Sequence, residues 1–183
     1  EPLAAVAKLF LAEGHVGNVV TLTRTDAAGQ ALKVALNRAL GHDRISYLTV
    51  GDDLEGGMDQ AFAASGSPAA IVSTPFAPIP RALFGVEGKD HLDAAEFGAL
   101  VETNLTHHFR VSRRASLYDD CQLVLTSPDV PMGDKSPAFA LANFIKTTLH
   151  AFTATLAVEN ERLVHDVPVN QINLTRRVQS EEP

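Results

Sequence analysis

The sequence predicts an α/β fold, a doubly wound sheet of parallel strands with helices on its faces. Three observations carry the prediction. Short apolar, β-branched runs alternate with segments whose apolar residues recur at helical spacing. The helical segments are long enough to serve as right-handed crossovers between parallel strands. Turn or capping residues stand where one periodicity gives way to the other.

Leu3, Val6, Leu9 and Phe10 keep helical spacing up to Gly14, and Asn18 to Thr23 follows as a buried strand. A second helix spans Thr25 to Leu40, with Thr25 or Asp26 as cap and Ala31, Leu32, Ala35, Leu36 and Ala39 as inner stripe. Gly41 stops it, and Ile45 to Val50 is the next strand. A helix from Leu54 to Ala64 carries Met58, Ala61 and Phe62. Ser65-Gly66-Ser67-Pro68 ends it before the strand Ala69 to Ser73. Pro75, Pro78 and Pro80 lock φ and withhold N–H groups, so that segment is a loop.

A long helix, 93–117, takes Asp93 as cap and puts Phe97, Leu100, Val101, Leu105 and Phe109 on one side. Cys121 to Thr126 is a strand and Pro128 to Pro137 a turn-rich loop. Helix 138–160 is apolar nearly all round, the pattern of a helix covered by a sheet on one side and a partner subunit or domain on the other. Val167 to Leu174 alternates loosely and is read as the last strand. With no internal repeat, low-complexity tract or linker, residues 1–183 read as a single domain, expected to be a piece of a larger multidomain protein.

The bulk numbers exclude some function classes. A chain of 183 residues, 45% hydrophobic and 20% charged, suits a domain able to bury roughly 70% of its unfolded surface. A net charge of -7 argues against a nucleic-acid binder, which needs a basic face. The single cysteine, Cys121, lies in an apolar stretch and reads as a buried thiol in a reducing cytosol. There is no basic leader and no apolar run near the roughly 20 residues a membrane span needs, so a cytoplasmic protein is expected.

Three stretches are more specific. Ala140-Leu-Ala-Asn-Phe-Ile-Lys146 and its continuation to Asn160, Asn104-Leu-Thr-His-His-Phe-Arg110, and Ile172-Asn-Leu-Thr-Arg-Arg177 closely resemble the C-terminal end of bifunctional malonyl-CoA reductase. The element order resembles a short-chain dehydrogenase/reductase lacking its first strand and glycine loop. The resemblance covers nearly the whole chain. It implies a large NADPH-dependent protein that reduces malonyl-CoA through malonate semialdehyde to 3-hydroxypropionate in bacterial carbon fixation. In such proteins several domains of this kind occur, some catalytic and some supporting.

Carbonyl reduction by a nicotinamide needs a proton donor, which the superfamily supplies as a tyrosine with a lysine one helical turn later. Alignment through Phe152-Thr153 and Leu156-Ala157 puts the family lysine on Lys146 and the tyrosine on Ala142, which has no proton to give. Tyr47 and Tyr118 have no lysine four positions on. At the family's serine stands Thr126-Ser127-Pro128, with proline at the key place and Ser127 as a stand-in. Asn104 matches the asparagine that holds the proton-relay water; without a tyrosine it is expected to keep a helix distortion or a backbone hydrogen bond.

The cofactor side departs as well. The glycine loop for the pyrophosphate is missing, Ser73-Thr74-Pro75-Phe76 replaces a glycine-rich turn, and Leu174-Thr175 replaces a Pro-Gly. Arg24 falls where a 2′-phosphate would be held and Asp52 or Asp53 where adenine is contacted, but solvated or capping roles are favoured. His107-His108 reads as a surface or interface pair, because no second metal ligand follows at i+4. Arg113-Arg114 and Arg176-Arg177 read as ion-pairing residues rather than coenzyme A contacts, and Gly51-Asp52-Asp53 as a turn and cap rather than a calcium loop. Ser127, His150 and Asp129 have the types of a hydrolase triad without a nucleophile elbow.

The leading expectation is therefore a supporting, non-catalytic domain that binds no cofactor or metal of its own. Its partners would be the rest of the polypeptide, and a second copy through helices 93–117 and 138–160. An upstream strand should fill the middle of the sheet, since unpaired backbone groups there are costly. The alternatives are an active NAD(P)H-dependent reductase completed by its upstream segment, and a nucleotide- or coenzyme A-binding module without catalysis.

Overall fold

The structure, a computed structural model, describes residues 19–40, 45–74, 92–118, 121–128, 139–160 and 169–174. Their contacts group into two units, Glu1–Ala69 and Ala70–Pro183. In the first, β1 (Val19–Thr23), α1 (Asp26–Leu40), β2 (Ile45–Thr49) and α2 (Leu54–Ser65) follow in order. β1 and β2 are parallel, in register from Val19 with Ile45 to Thr23 with Thr49. Parallel neighbours need a crossover, and α1 supplies it.

The Oγ1 of Thr25 accepts the Ala28 N–H at 3.3 Å, so threonine caps α1, while Asp26 accepts the Tyr47 hydroxyl at 2.9 Å. The Tyr47 ring lies so close to α1 that a Cβ on Gly29 would collide with it. This contact sets the helix phase differently from the expected stripe. Gly29 and Leu36 are buried and Leu32 and Lys33 half-buried, whereas Ala31 and Ala35 face outward. At the other helix, Gly51 takes φ +57° and Asp53 caps α2 by accepting the Gly56 N–H at 3.0 Å, the turn and cap expected there. Gly57, Met58 and Ala61 are the buried residues of α2, with Phe62 half-buried.

The second unit holds β3 (Ala70–Ser73), α3 (Ala94–Val101), a π-helical turn (Glu102–Thr106), α4 (His107–Ala115), β4 (Gln122–Pro128), α5 (Ala140–Asn160) and β5 (Val169–Leu174). Its sheet has the order β3-β4-β5, all parallel. Leu123 through Ser127 are buried without interruption, as expected of a strand covered on both faces. β4 runs two residues past the expected end, because β5 continues as its partner to Pro128 while β3 stops at Ser73 opposite Leu125. Ser127 and Pro128 thus belong to the strand rather than to the loop.

Leu141, Ile145 and Leu149, four apart on α5, form the apolar core, and Leu92, Phe97, Leu100 and Leu105 pack against it. Asp93 and Glu96 close a capping box at the start of α3, with hydrogen bonds of 2.7 and 3.3 Å. The single helix expected over 93–117 is interrupted by the π turn. Phe109, placed on one side with Phe97 and Leu105, is 51% exposed, whereas those two are half-buried. α5 buries one face only; Phe144 and Val158 remain exposed.

Cys121 is fully buried, and burial pushes its thiol up to about 11. Among the described residues no helix is long and apolar enough to cross a membrane. β1 pairs with β2 alone and β3 with β4 alone among the described residues, leaving one edge of each without a strand partner there. The helix expected over residues 3–10 and the loops after Pro75 and Pro128 lie outside the described residues.

Candidate functional site

The face of a helix that meets a sheet is ordinarily apolar. The face running from the π turn through α4 is mixed: beside the buried Val111 and Ala115, Asn104, His108 and Ser112, at i, i+4 and i+8, are 2%, 0% and 4% exposed. Each meets a backbone carbonyl. The Nδ2 of Asn104 donates to Leu100 O at 2.9 Å, the carbonyl that an unbroken α-helix would satisfy with the backbone N–H of Asn104. The Oγ of Ser112 donates to His108 O at 2.7 Å. The Nε2 of His108 lies 3.0 Å from Thr126 O in β4. A carbonyl only accepts, so Nε2 carries the proton and Nδ1 is the bare nitrogen, buried and without a hydrogen-bond partner among the described residues.

Burial lowers the pKa of His108 from 6.5 to about 4, with His107 adding to the effect and the Thr126 hydrogen bond opposing it. His108 is therefore a core histidine, which corrects its expected place at the surface or an interface. The error has a physical source: a polar side chain can be buried once a carbonyl receives its proton, and that carbonyl lies 18 residues away in sequence. The i, i+4, i+8 series of polar residues was the available signal.

The residues matched to the family's reactive group come from the same unit. Asn104 lies in the π turn, Ser127 in β4, and Ala142 and Lys146 one turn apart on α5; they are 2%, 2%, 4% and 7% exposed. α5 packs on both β4 and the π turn. The Oγ1 of Thr126 donates to Ser73 O at 3.0 Å, tying the end of β4 to the end of β3. The hydroxyl of Ser73 is buried without a hydrogen-bond partner among the described residues. At the position matched to the proton donor there is a buried methyl, and no phenol replaces it from α5. Tyr47 is engaged by Asp26, whose hydrogen bond raises its pKa, the wrong direction for a proton donor.

The cofactor candidates lie in the first unit. Arg24 Nε is 3.8 Å from Asp52 Oδ1, with side chains 71% and 96% exposed. The two side chains stand near one another in solvent, and Asp53 is occupied as a cap. Of the triad types, Ser127 is buried and His150 exposed, while Asp129 lies outside the described residues, as do Thr175, Arg176, Arg177, Pro75 and Phe76. Arg113 is exposed and Arg114 half-buried on α4. Among the described residues no group of histidine, cysteine and acidic side chains is arranged to hold a metal ion.

No family model matches the chain, and no curated protein matches it. Among solved structures, it is 63% identical, over 100% of its length, to the C-domain of a bacterial malonyl-CoA reductase crystallised with NADP, with a TM-score of 0.82. It spans 27% of that longer chain. A short-chain dehydrogenase of the glucose/ribitol type from Brucella melitensis gives 21% identity and a TM-score of 0.70, over 92% of this chain and 68% of that one. A metagenomic short-chain oxidoreductase in complex with NADP gives 17% and 0.71, over 94% and 75%. At those identities the last two speak for the shared fold alone.

Proposed function

From the premise that this chain belongs to the short-chain dehydrogenase/reductase superfamily, as a counterpart of part of the malonyl-CoA reductase C-domain, we propose that it is a supporting, non-catalytic domain. The parent enzyme would be NADPH-dependent and cytoplasmic, taking malonyl-CoA through malonate semialdehyde to 3-hydroxypropionate. One observation carries the reading: the buried methyl of Ala142 stands one turn before Lys146, at the position to which the resemblance assigns the superfamily's tyrosine. Asn104 supports it too, because its amide is committed to the Leu100 carbonyl.

On this reading a dinucleotide would find no partner for its chemistry here: the side chain at position 142 has no proton to hold or deliver, and Arg24 stands in solvent 3.8 Å from Asp52. The domain would act through contacts instead, as one domain in a longer polypeptide. Among the described residues β1 has one edge without a strand partner, whose backbone groups would be available to an upstream strand. The long helices carry exposed apolar residues suited to a second copy or a catalytic neighbour. Phe97 meets Phe144 at 5.9 Å and Phe109 meets Phe152 at 6.4 Å, with Phe109, Phe144, Leu117 and Val158 exposed beside them.

The test is substitution of Lys146 to Met and of Ser127 to Ala in the intact enzyme. Both half-reactions should keep their rates within about threefold, whereas removal of a working catalytic group lowers one of them by orders of magnitude. A bound dinucleotide with its nicotinamide facing Lys146 would overturn the reading. That Asn104, Ser127 and Lys146 all remain, buried on adjoining elements, favours one rival: an active NAD(P)H-dependent reductase whose proton donor comes from outside this chain. The same substitutions separate the two.

A further inference from the structure

We propose that His108 is a proton-sensitive latch, holding the helix that carries Asn104 against the strand that carries Ser127 only while its imidazole is neutral. The inference stands apart from the question of catalysis. It rests on geometry: the ring is 0% exposed, its Nε2–H is used by Thr126 O at 3.0 Å, and its Nδ1 faces no hydrogen-bond partner among the described residues.

A second proton would create a buried N–H at Nδ1, where the described residues offer no acceptor. Burying an unpaired polar group is unfavourable, and burying an uncompensated charge far more so. Among the described residues the surroundings offer no compensation. β3 (Ala70–Ser73) carries no titratable residue, and the strand segment 121–128 carries only the Cys121 thiol, itself pushed up to about 11. The π turn contributes Glu102, which is exposed and paired with Arg110 at 2.9 Å. On its own helix the nearest titratable group is His107, whose ring centroid is 6.4 Å away and which opposes a positive charge. α5, packed on β4 and the π turn, brings the basic residue Lys146.

Protonation can therefore be accommodated only by withdrawing the ring, which breaks the contact to Thr126. Asn104 lies one turn before His108 and Ser127 immediately after Thr126, so release displaces both. The sign follows from linkage. The folded chain holds His108 at about 4 against 6.5 unfolded, so the stabilisation is present above 6.5 and is lost as pH falls toward about 4. Across that window the folding equilibrium constant should fall by about two orders of magnitude from this residue alone.

Histidine Cε1 hydrogen exchange, read by mass spectrometry across a pH series on the intact protein, tests the latch. His108 should titrate well below 6.5, and peptides spanning 107–115 and 122–128 should lose amide protection as it does. His108→Gln keeps an N–H for Thr126 O without a titrating ring, so that loss of protection should disappear in this variant. Titration of His108 near 6.5 with both peptides still protected would overturn the proposal. So would an unchanged pH response in the glutamine variant. Should that variant not fold, the unsubstituted protein's titration and protection decide alone.

Discussion

The two helical faces that cover β4 are held in different ways. α5 contributes Leu141, Ile145 and Leu149, whose burial is non-directional and tolerates small rotations. The π turn and α4 bury Val111 and Ala115 beside three polar residues: Asn104 and Ser112 donate to carbonyls of their own helix, and His108 reaches Thr126 O in β4. An apolar contact stabilises, whereas the His108 contact specifies: it rewards one register of the helix on the strand and penalises others by leaving a buried group unpaired. A helix held in the second way can be shifted by chemistry, through a proton or a substitution. A helix held in the first responds mainly to lost volume.

The comparison is broken most forcefully by emptying the apolar face. Ile145 is 0% exposed, and Ile145→Ala should destabilise the intact protein by about 2–5 kcal/mol, nearly independent of pH, read by denaturant unfolding. If the loss were under about 1 kcal/mol, α5 would not be the anchor described.

Next in size is the polar face. Asn104→Leu removes the donor to Leu100 O and should cost about 1–3 kcal/mol. It should also shift the π turn, visible as faster amide exchange over 100–108. Leucine is close in volume, so an unperturbed stability would mean that the asparagine is not what sustains the distortion.

Ala142→Tyr sharpens the contrast between packing and chemistry. The site is 4% exposed, so a phenol there should overpack the helix and cost about 1–3 kcal/mol. On the supporting-domain reading it should restore no reductase activity to this domain, because the dinucleotide side is also altered. A gain of turnover above the intact enzyme's background would contradict that reading directly.

How much of this was legible in the sequence follows from the same distinction. Hydrophobic periodicity located β4, whose buried run is continuous, and the caps at Asp53 and Asp93, where a carboxylate meets N–H groups three residues on. The Ala142–Lys146 pair was legible too, since i, i+4 spacing fixes a shared face. What was hidden depends on partners distant in sequence. The carbonyl of Thr126 makes His108 buryable, and the Tyr47 ring, not the alanines, sets the inner side of α1 through Gly29. The π turn has no hydropathy signature at all, because it redistributes backbone hydrogen bonds rather than side-chain types.

The smallest expected effect concerns Arg24 and Asp52. Their side chains meet at 3.8 Å but are 71% and 96% exposed, so solvent and salt screen the attraction. Arg24→Ala and Asp52→Ala should each change stability by less than about 0.5 kcal/mol, and a double-mutant cycle should give a coupling near zero at physiological salt. The informative readout is NADPH affinity in the intact enzyme, which should be the same for both variants as for the parent protein. A weakening of about tenfold in Arg24→Ala alone would place a 2′-phosphate on this arginine. The first unit would then be a nucleotide-binding region rather than a solvent-facing edge.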